Sequence, residues 1–524
     1  MENAALAERL EAFAALLDLN GSGYYTVRAY RRAAELIRST PADVAALVRT
    51  GRVRELAGIG PGIEERLREL VETGELAELK ALEAQALPEL VGVARLLGLS
   101  TKRMRELGHA LGISTLAELR EAAAAGRLDS VAGIGPKTAA RIETGLAELA
   151  TTRPRRGMLL NRARALVGEV AAALGGEPAG DPRRACDLST RFAVVVPLER
   201  LPEAEALPQL VAVLERDDRR IVGVTAEGYP IEVVGATSES WQRDLVRAIG
   251  SPEWVAAHPN LSASELPPPE LRELDAPPAP PDLIELGDVR GELHAHTTSS
   301  DGKATVEEMG RAAQALGYEY LAICDHTRNV RVVPGLDADD IRRQGEEIAA
   351  ANEVLAPFRI LRGSECDILS DGSLDLPDDV LAELEWVQIS LHAGQRWGRA
   401  ALTDRVLEAM RHAATSTAAS CLSHPKGRIL NHRPENALDL ERVFEVSLET
   451  GVALEVNGLP DRLDLSAGHV REALAAGVRI VCSTDAHSVR GLGNMELSVA
   501  TARRGGARRG DVLSTLPLAE LLRR

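Results

Sequence analysis

The feature that most constrains the fold of this 524-residue chain is a series of seven short apolar segments between residues 291 and 487, separated by stretches with helical periodicity. Strand–helix alternation of this regularity predicts a parallel α/β fold, and the number of units favours a barrel. Six of the seven segments finish on a residue that can bind a metal ion. The segments read GELHAH, YLAICDH, FRILRGSE, WVQISLH, TAASCLSH, VALEVN and RIVCSTDAH.

The residues at the segment ends are candidate metal ligands. In a parallel barrel the carboxyl ends of the strands meet at one mouth, where active sites are built. Asp301, in a Ser-Ser-Asp-Gly turn five residues after His296, can fold back into the same mouth. A single histidine at a strand end is more often a packing residue, but a whole set placed at one pole by independent strands predicts a metal site. The nine candidates are His294, His296, Asp301, His326, Glu365, His392, His424, Asp485 and His487.

The ligand types indicate the kind of metal. Imidazoles and carboxylates suit Zn²⁺, Mn²⁺ or Fe²⁺, and the lack of thiolates at the segment ends argues against a structural zinc. The five cysteines are scattered without a CxxC pair, so we expect a reducing, cytoplasmic location. The N-terminus carries acids where a signal peptide needs bases, and no apolar run reaches the length of a membrane helix, so no membrane partner is expected.

Metal ions held close together can polarise a phosphate ester and generate a nucleophile from water. Lys426 and Arg428, in SHPKGR, are candidates for contacting the phosphate, and a surface charge is the alternative interpretation of each. Asn457 ends the one strand without a ligand and is a candidate for orienting substrate, with a turn-forming asparagine as the alternative.

The order of these motifs resembles the polymerase and histidinol phosphatase family, called the PHP domain. The motifs are LHAHTTSSDG, ICDHT, GSECDI, SLHAG, SHPKGR, LEVNG and STDAHS. The resemblance implies a distorted seven-stranded barrel holding three divalent ions, manganese or zinc, with iron as a further candidate. Since all nine ligand positions are filled, it also implies a catalytically competent site.

The resemblance distributes the ligands among the three ions. The first ion would be held by His294, His296, Glu365 and Asp485. Glu365 would bridge to a second ion, held by His392 and His424, and the third would be held by Asp301, His326 and His487. The residues implied to take part in catalysis are His294, His296, Glu365, His392 and Asp485.

The first 150 residues are helical in pattern and contain an internal repeat, LAGIGPGIEERLREL (56–70) and VAGIGPKTAARIETGL (131–146), with a degenerate third copy at 90–107. Gly-hydrophobic-Gly between two helices is typical of a helix-hairpin-helix, whose backbone amides approach a nucleic-acid phosphate. Sequence-independent DNA binding is therefore predicted, with a purely structural hairpin and a solvated helix face as alternatives. The predicted contacts are Gly58, Gly60, Gly133, Gly135 and Lys137, together with Arg28 and Arg31.

The net charge of −17 is unevenly distributed. Residues 1–165 hold 24 Lys+Arg against 21 Asp+Glu, which leaves 37 (61 less 24) against 57 (78 less 21) in the remainder. The near-neutral N-terminal part can contact phosphates locally, and the acidic remainder can hold cations.

Between these parts, RFAVVVPL, RIVGVT and YPIEVVGA predict strands, and the proline density of residues 266–282 predicts an interdomain linker or a wrapped connector. The whole order resembles bacterial family X DNA polymerases with a C-terminal PHP domain. It implies a multidomain chain with an all-α helix-hairpin-helix part, an α+β nucleotidyltransferase-like palm and a C-terminal α/β distorted (β/α)7 PHP barrel. The implied domains are a helical hairpin domain at 1–85, a second hairpin, fingers-like domain at 86–152, a degenerate palm and thumb at 153–258, a proline-rich linker at 259–288 and the PHP domain at 289–524.

The sequence departs from this family where nucleotidyl transfer needs carboxylates. Arg183 and Arg184 are in place, but the positions of the palm aspartates hold Arg191 and Ala193, and Glu232 is the only acid left in YPIEVV. A guanidinium opposes a divalent cation, so polymerase activity is predicted to be absent. Arg66 replaces the lysine with which some relatives cleave a sugar–phosphate, so that activity is predicted to be absent too.

The sequence thus predicts a DNA-processing, metal-dependent phosphoesterase. The resemblance implies a Mn²⁺-dependent 3′→5′ exonuclease in DNA repair, with cleavage at abasic sites as a further activity. One alternative is a small-molecule phosphomonoesterase similar to histidinol phosphatase, and another is a non-catalytic DNA-binding scaffold. The expected partner is DNA, or a small phosphate ester in the first alternative, and the chain is expected to be a monomer.

Overall fold

The computed structural model of the chain describes residues 3–19, 24–79, 99, 101–113, 115–131, 133–135, 138–139, 142–143, 146, 157–225, 227–259, 266–330, 333–395 and 397–523. They belong to two compact units. The first comprises residues 1–156, 170–176 and 190–238, and the second residues 157–169, 177–189 and 239–524.

The described residues form helices and strands with the following bounds. The helices are α1 (Asn3–Leu19), α2 (Tyr24–Ser39), α3 (Val44–Arg49), α4 (Pro61–Thr73), α5 (Thr101–Leu111), α6 (Leu116–Ala124), α7 (Leu160–Leu174), α8 (Trp241–Ile249), α9 (Pro252–Ala257), α10 (Val306–Ala315), α11 (Ala338–Leu355), α12 (Asp378–Leu381), α13 (Arg399–Ala413), α14 (Leu440–Thr450), α15 (Ala467–Ala475), α16 (Met495–Arg504) and α17 (Leu518–Leu521). The strands are β1 (Met158–Leu159), β2 (Glu177–Gly180), β3 (Leu188–Ser189), β4 (Phe192–Pro197), β5 (Leu210–Arg216), β6 (Arg220–Thr225), β7 (Pro230–Ala236), β8 (Gly291–Ala295), β9 (Tyr320–Ile323), β10 (Arg359–Asp367), β11 (Trp386–Ser390), β12 (Ala419–Leu422), β13 (Ala453–Asn457) and β14 (Ile480–Ser483). None of the described helices combines the length and the apolar composition that crossing a bilayer requires.

The first unit begins with helices whose apolar residues recur at helical spacing. Leu6, Leu10 and Phe13 on α1 are buried, and the ring of Phe13 meets that of Tyr30 on α2 edge to face, with centroids 5.1 Å apart. Burial of each such side chain contributes about 1.5–3 kcal/mol. The side chain of Asp43 accepts the amide of residue 46 at 3.0 Å, which starts α3 at its observed residue.

The two Gly-Ile-Gly repeats have the same backbone structure. In each, the isoleucine amide donates to the carbonyl three residues earlier, at 3.2 Å in the first repeat and 3.0 Å in the second. Gly58 and Gly133 have φ of 99° and 80°, a region that side chains disfavour. The carbonyls of Gly60 and Gly135 each accept two amides from the start of the next helix. The predicted hairpins are confirmed, and the third copy at 90–107 falls largely outside the described residues.

Four strands of the first unit form a mixed sheet in the order β4-β7-β6-β5. Strand β4 is parallel to β7, and β6 is antiparallel to both β7 and β5. Strand β5 was not predicted. It pairs with one neighbour, its register shifts twice, and Val213 and Leu214 are exposed, so its sequence lacks the alternation of a half-buried strand.

The second unit is built around a barrel of parallel strands, β8 to β14, in sequential order. Two hydrogen bonds join its first and last strands: the His296 amide donates to the Ala486 carbonyl at 2.9 Å, and the Ala486 amide to the His294 carbonyl at 3.2 Å. Strands β8, β9, β11, β13 and β14 are buried along their whole length, because helices cover the barrel. The predicted (β/α)7 barrel is confirmed.

Two segments from the region that resembles a palm lie in the second unit. Strands β1 and β3 pair antiparallel, Met158 with Ser189. Leu160 and Ala185 pack with Leu463 and other buried residues of the barrel. Residues 157–169 and 177–189 are therefore structural neighbours of the barrel.

The described part of the proline-rich segment lies against the barrel instead of spanning a gap. Leu271 is buried, and Arg503 on α16 donates to Glu270 at 3.0 Å. The Ser251 amide donates to the carbonyl of Arg272 at 3.0 Å. Of the two predicted forms, linker or wrapped connector, these contacts are those of a wrapped connector.

Candidate metal centre

The barrel brings the nine predicted ligands together at its carboxyl-terminal mouth. His294 and Glu365 lie in strands β8 and β10, and the others lie within a few residues of a strand end or, for Asp301, in a turn. The side chains of His294, His296 and Glu365 are almost fully buried, whereas that of His487 is 32% exposed. The cluster is therefore a pocket with a buried floor and an open rim.

Four candidate ligand atoms lie on the floor of the pocket. His296 Nε2 lies 3.2 Å from His294 Nε2 and 3.1 Å from Asp485 Oδ1. Glu365 Oε2 lies 3.6 Å from His294 Nε2 and 3.5 Å from His296 Nε2, and His294 Nε2 lies 3.7 Å from Asp485 Oδ1. Metal–ligand distances of about 2.0–2.2 Å place tetrahedral ligands roughly 3.3–3.6 Å apart. The spacing among His294, His296 and Glu365 is close to this, so these three could hold one ion.

Further histidine nitrogens face the second carboxylate oxygen of Glu365 and the carboxylate of Asp301. Glu365 Oε1 lies 3.0 Å from His424 Nε2 and 3.4 Å from His392 Nε2. Asp301 lies 3.2 Å from His487 Nε2 and 3.6 Å from His326 Nε2. The groups able to hold an ion are His294, His296 and Glu365; His326, Glu365 and His392; and His296, Asp301, His326 and His487.

Three atoms of the pocket are buried without a hydrogen-bond partner among the described residues: His296 Nδ1, His326 Nδ1 and Glu365 Oε2. His326 Nδ1 and Glu365 Oε2 lie 2.8 Å apart, but the approach lacks hydrogen-bond geometry. Buried polar atoms without partners are rare in folded proteins. Here they converge on the same pocket as the nitrogen and oxygen ligands, so the donor set fits divalent metal ions.

Glu455 lies in strand β13, which was predicted to carry no ligand, and no role was predicted for it from the sequence. Its carboxylate lies 2.6 Å from His294 Nδ1 and also accepts the His424 amide at 2.6 Å and the Ser483 hydroxyl at 2.6 Å. A carboxylate on the far nitrogen fixes the tautomer and orientation of a metal-binding histidine. The available signal was a charged residue inside an otherwise apolar, buried strand.

Asp367 repeats this arrangement for His392, whose Nδ1 lies 2.8 Å from Asp367 Oδ1. His487 Nδ1 lies 2.8 Å from the Asp485 carbonyl. In both histidines a hydrogen bond at Nδ1 leaves Nε2 facing the pocket, where it can bind a metal ion.

Two of the ligand residues have left-handed backbones. His424 has φ 27° and Asp485 has φ 52°, an uncommon conformation for residues other than glycine. Such strain persists only when the surroundings hold the chain in place, and it concentrates at functional sites.

The carboxylates give the pocket a strongly negative field. Burial alone would lower the pKa of the histidines, but Glu455, Asp485 and Glu365 hold the pKa of His294 well above its usual value. Against the same burial penalty, neighbouring carboxylates raise the pKa of His326 to about 10 and that of His392 to about 9. Burial would raise the pKa of Glu365, but the surrounding imidazoles lower it well below the usual range. The pocket therefore attracts positive charge, whether metal ions or protons.

The predicted substrate contacts have protein partners. Lys426 Nζ donates to the carbonyl of Leu438 at 3.1 Å. The Arg428 guanidinium donates to Asp187 at 2.6 Å and to two backbone carbonyls. Asn457 Nδ2 donates to Asp485 Oδ2 at 3.1 Å, so it orients the carboxylate of a predicted ligand. Phosphate contact by these side chains stays a prediction.

The predicted DNA contacts lie on the two hairpins and on α2. Side chains placed at Gly58, Gly60 or Gly135 would meet nothing within 4 Å, whereas Gly133 is covered by the Arg103 guanidinium. Arg28 is exposed and Arg31 is half-buried on α2. Lys137 lies outside the described residues.

Glu232 and Arg66, the two residues on which the predicted loss of polymerase and lyase activity partly depends, both form ion pairs. Glu232 accepts the Arg220 guanidinium at 2.5 Å, and its neighbour across the sheet is the buried Ala193. Arg66 donates to Glu65 at 2.9 Å and to Glu78 at 2.8 Å.

Two family models match the N-terminal part of the chain. One described as a helix-hairpin-helix domain matches residues 1–76, and one described as a SAM-like helix-hairpin-helix tandem matches residues 91–147. Among curated proteins, the chain is similar to the DNA polymerase/3′-5′ exonuclease PolX of Bacillus subtilis, with 30% identity over 98% of this chain and 97% of the relative.

The C-terminal part has shorter relatives as well. A probable phosphatase of Acetivibrio thermocellus is 30% identical over 37% of this chain and 78% of its own length. Another from Aliivibrio fischeri is 29% identical over 40% of this chain and 82% of its own length.

Proposed function

Because this chain belongs to the family of the DNA polymerase/3′-5′ exonuclease PolX proteins, which it matches over nearly its whole length, we propose that it is a Mn²⁺-dependent 3′→5′ exonuclease acting in DNA repair. The observation that carries the proposal is the convergence of imidazole and carboxylate groups from every part of the barrel on one pocket. Cleavage at abasic sites is a second activity that the same pocket would support.

The nine residues would hold three ions, Mn²⁺ or Zn²⁺, with Fe²⁺ as a further candidate. His294, His296, Glu365 and Asp485 would hold the first; Glu365, His392 and His424 the second; and Asp301, His326 and His487 the third. Bound divalent ions would polarise the phosphodiester and supply a nucleophile from water near neutral pH. The protein's own contribution is orientation: Glu455 and Asp367 hold His294 and His392 with Nε2 towards the pocket.

The hairpins would bind DNA without reading its sequence. The open backbone at Gly58, Gly60 and Gly135 supports contact with phosphates, and Gly133 and Lys137 belong to the same proposed surface. Arg28 and Arg31 would add charge to the phosphate contacts.

The polymerase frame would be catalytically silent. The pairing of Glu232 with Arg220 supports this, since that carboxylate is already neutralised. The ion pairs of Arg66 support the absence of lyase chemistry. The domain division at 85, 152, 258 and 288, a monomeric state and a cytoplasmic location complete the proposal.

A phosphomonoesterase acting on small molecules is a second candidate function. It is favoured by the similarity of the C-terminal part to the probable phosphatases. The shared ligand chemistry suits both substrates, so the two candidates differ in what binds beside the metal ions.

The test is hydrolysis of 5′-labelled single-stranded and gapped DNA with Mn²⁺, compared with release of phosphate from histidinol phosphate and p-nitrophenyl phosphate. The exonuclease shortens the DNA from its 3′ end, stops with EDTA and is lost in Glu365→Gln. Glu449→Gln, at an ion pair with Arg411 on the outer helices, is the matched control and keeps full activity. Release of phosphate from the small esters with intact DNA would favour the second candidate.

A further inference from the structure

Arg462 has no hydrogen-bond partner for its guanidinium among the residues that the structure describes. Its side chain is 17% exposed, and its nearest acidic atom, Asp485 Oδ2, lies 3.9 Å from Nε. Nη1 is fully buried and makes no hydrogen bond to any described residue. Asp485 is one of the predicted metal ligands, so this guanidinium lies beside the metal pocket.

The loop that carries Arg462 folds back on strand β13. The Leu465 amide donates to the Glu455 carbonyl at 3.0 Å, and the Asn457 amide donates to the Asp464 carbonyl at 2.6 Å. Leu463, next to Arg462, has φ 45°. These bonds fix the backbone that follows Arg462 relative to Asn457 and Glu455, whose side chains hydrogen-bond to predicted ligands.

A second arginine, Arg428, donates hydrogen bonds to the same stretch of backbone. Arg428 Nε donates to the Arg462 carbonyl at 2.9 Å, and its Nη2 donates to the carbonyl of Leu463. Arg428 Nη2 also donates to Asp187 Oδ2 at 2.6 Å, and both side chains are nearly buried. Asp187 belongs to residues 177–189, which come from the region that resembles a polymerase palm.

A buried guanidinium nitrogen such as Nη1 is costly when it makes no hydrogen bond, since it has lost water and gained nothing in exchange. The Arg462 guanidinium would lie beside metal ions that also carry positive charge. An anion that contacts both the guanidinium and the ions would therefore stabilise it most. A phosphodiester is such an anion, and the planar donors of arginine suit two phosphate oxygens at once. Lys426 and Arg428 are engaged by protein groups, so Arg462 is better placed than either to bind it.

We propose that Arg462 binds the phosphate of the substrate beside the metal ions, and that Asp187 and Arg428 are positioning residues that hold it there. The proposal rests on the proposed phosphoesterase function. It makes residues 177–189 a working part of the hydrolytic site: Asp187 holds Arg428, and Arg428 holds the backbone from which Arg462 extends.

The first test compares Arg462→Gln, Arg462→Lys and the wild type in Mn²⁺-dependent DNA hydrolysis, in inhibition by inorganic phosphate and in Mn²⁺ binding. We expect Arg462→Gln to lower kcat/KM about 100-fold, because a preorganised donor to the reacting phosphate is lost. Phosphate inhibits it more weakly, Mn²⁺ affinity is unchanged, and Arg462→Lys recovers part of the loss. Added guanidinium ion restores activity to Arg462→Ala and not to Glu365→Gln. Arg442→Gln, whose arginine pairs with Asp404 at 2.9 Å on the barrel exterior, is the control and behaves as wild type.

The second test is a double-mutant cycle between Asp187→Asn and Arg462→Gln. Asp187→Asn alone lowers kcat/KM, and it has no further effect in the Arg462→Gln background, because the pair acts through one contact. Asp404→Asn is the matched control for the loss of an ion-paired carboxylate.

Three outcomes would overturn the proposal. Full activity and full phosphate inhibition of Arg462→Gln would exclude a phosphate-binding role and leave the exonuclease intact. Loss of Mn²⁺ binding in Arg462→Gln would assign the residue to metal retention instead, and additive effects in the cycle would remove Asp187 from it. A wild-type protein that hydrolyses no DNA with Mn²⁺ would refute the proposed function and this inference together.

Discussion

Glu365 shows how single residues connect the parts of the metal pocket. One of its oxygens faces His294, His296 and His326, and the other faces His392 and His424. No hydrogen bond between described residues reaches Oε2, although it is buried. The Ser390 hydroxyl donates to Glu365 Oε1, and Glu455 and Asp367 orient two of the histidine rings that face it.

Glu455→Gln tests that orienting role. Both oxygens of Glu455 accept hydrogen bonds, whereas a glutamine keeps one acceptor oxygen and loses the charge, so we expect a 10- to 100-fold loss in metal affinity or in activity. Mn²⁺ titration and DNA hydrolysis measure it, with Glu449→Gln as the exposed control. Unchanged affinity and activity in a folded Glu455→Gln protein would remove Glu455 from the site.

Metal binding is expected to strengthen as pH rises. The raised pKa values of His326, about 10, and His392, about 9, mean that both imidazoles carry protons in the metal-free protein at neutral pH. A metal ion binds the neutral ring, so binding releases protons, and affinity falls as pH drops further below these values. Calorimetry in two buffers of different ionisation enthalpy measures the release. Affinity independent of pH between 6 and 8 would contradict it.

At the scale of elements, the hairpins and the barrel strands were predictable because short-range signals define them. Glycines mark the hairpin turns, and apolar runs that end on polar residues mark the barrel strands. Strand β5 was missed because its exposed Val213 and Leu214 break the pattern. Asp187 and Arg428, separated by 241 positions, could not be paired from sequence, since nothing local in either motif indicates the other.

The same limit applies to the site. Most of the predicted ligands could be found because they end an apolar segment of the sequence. Glu455 lies in the middle of such a segment, and Arg462 lies on a loop that folds back. Lys426 and Arg428 were candidates because they are cations in the motif SHPKGR. In the structure both donate hydrogen bonds to protein oxygens. Which cations remain available depends on tertiary contacts.

Gly58→Ala tests the hairpin as a DNA-binding element. Gly74 is a matched position: it has φ 79° at the end of α4, and a side chain there also meets nothing within 4 Å. Each alanine costs about 1–2 kcal/mol of stability. Only Gly58→Ala is expected to weaken DNA binding as well, about tenfold, or 1.4 kcal/mol. Equal DNA affinities of the two variants, measured by anisotropy at fixed salt, would argue for a purely structural hairpin.

At the scale of the whole molecule, the elements proposed for DNA binding and for hydrolysis lie in different compact units. The described residues of the first unit contain the hairpins and the sheet with Ala193 and Glu232, and the second contains the metal pocket. Residues 177–189 depart from this division, because they lie with the barrel.

Metal removal should destabilise the second unit alone. An ion at 100 times its dissociation constant contributes about 2.7 kcal/mol, which corresponds to a fall in Tm of roughly 4 °C for a unit of this size. Calorimetric scans with Mn²⁺ and with EDTA measure the shift. An equal shift in the unfolding of a hairpin-containing fragment would contradict the assignment of the ions to the barrel.

The intact chain is expected not to extend a primed template with Mg²⁺ and all four deoxynucleotides. The reason is the Arg191 guanidinium and the apolar Ala193 where carboxylates are needed, with Glu232 already paired to Arg220. A gel-based extension assay with an active polymerase as the positive control measures it. Processive extension would refute the interpretation of the palm.

The seam between strands β8 and β14 decides at which stage of synthesis the pocket can form. His294 and His296 come from one side of the seam and Asp485 from the other. The predicted ligands therefore cannot all meet until strand β14 has been made, whereas the hairpins are made first. In a chain that is still being synthesised, the proposed hydrolytic site would be completed well after the proposed DNA-binding elements.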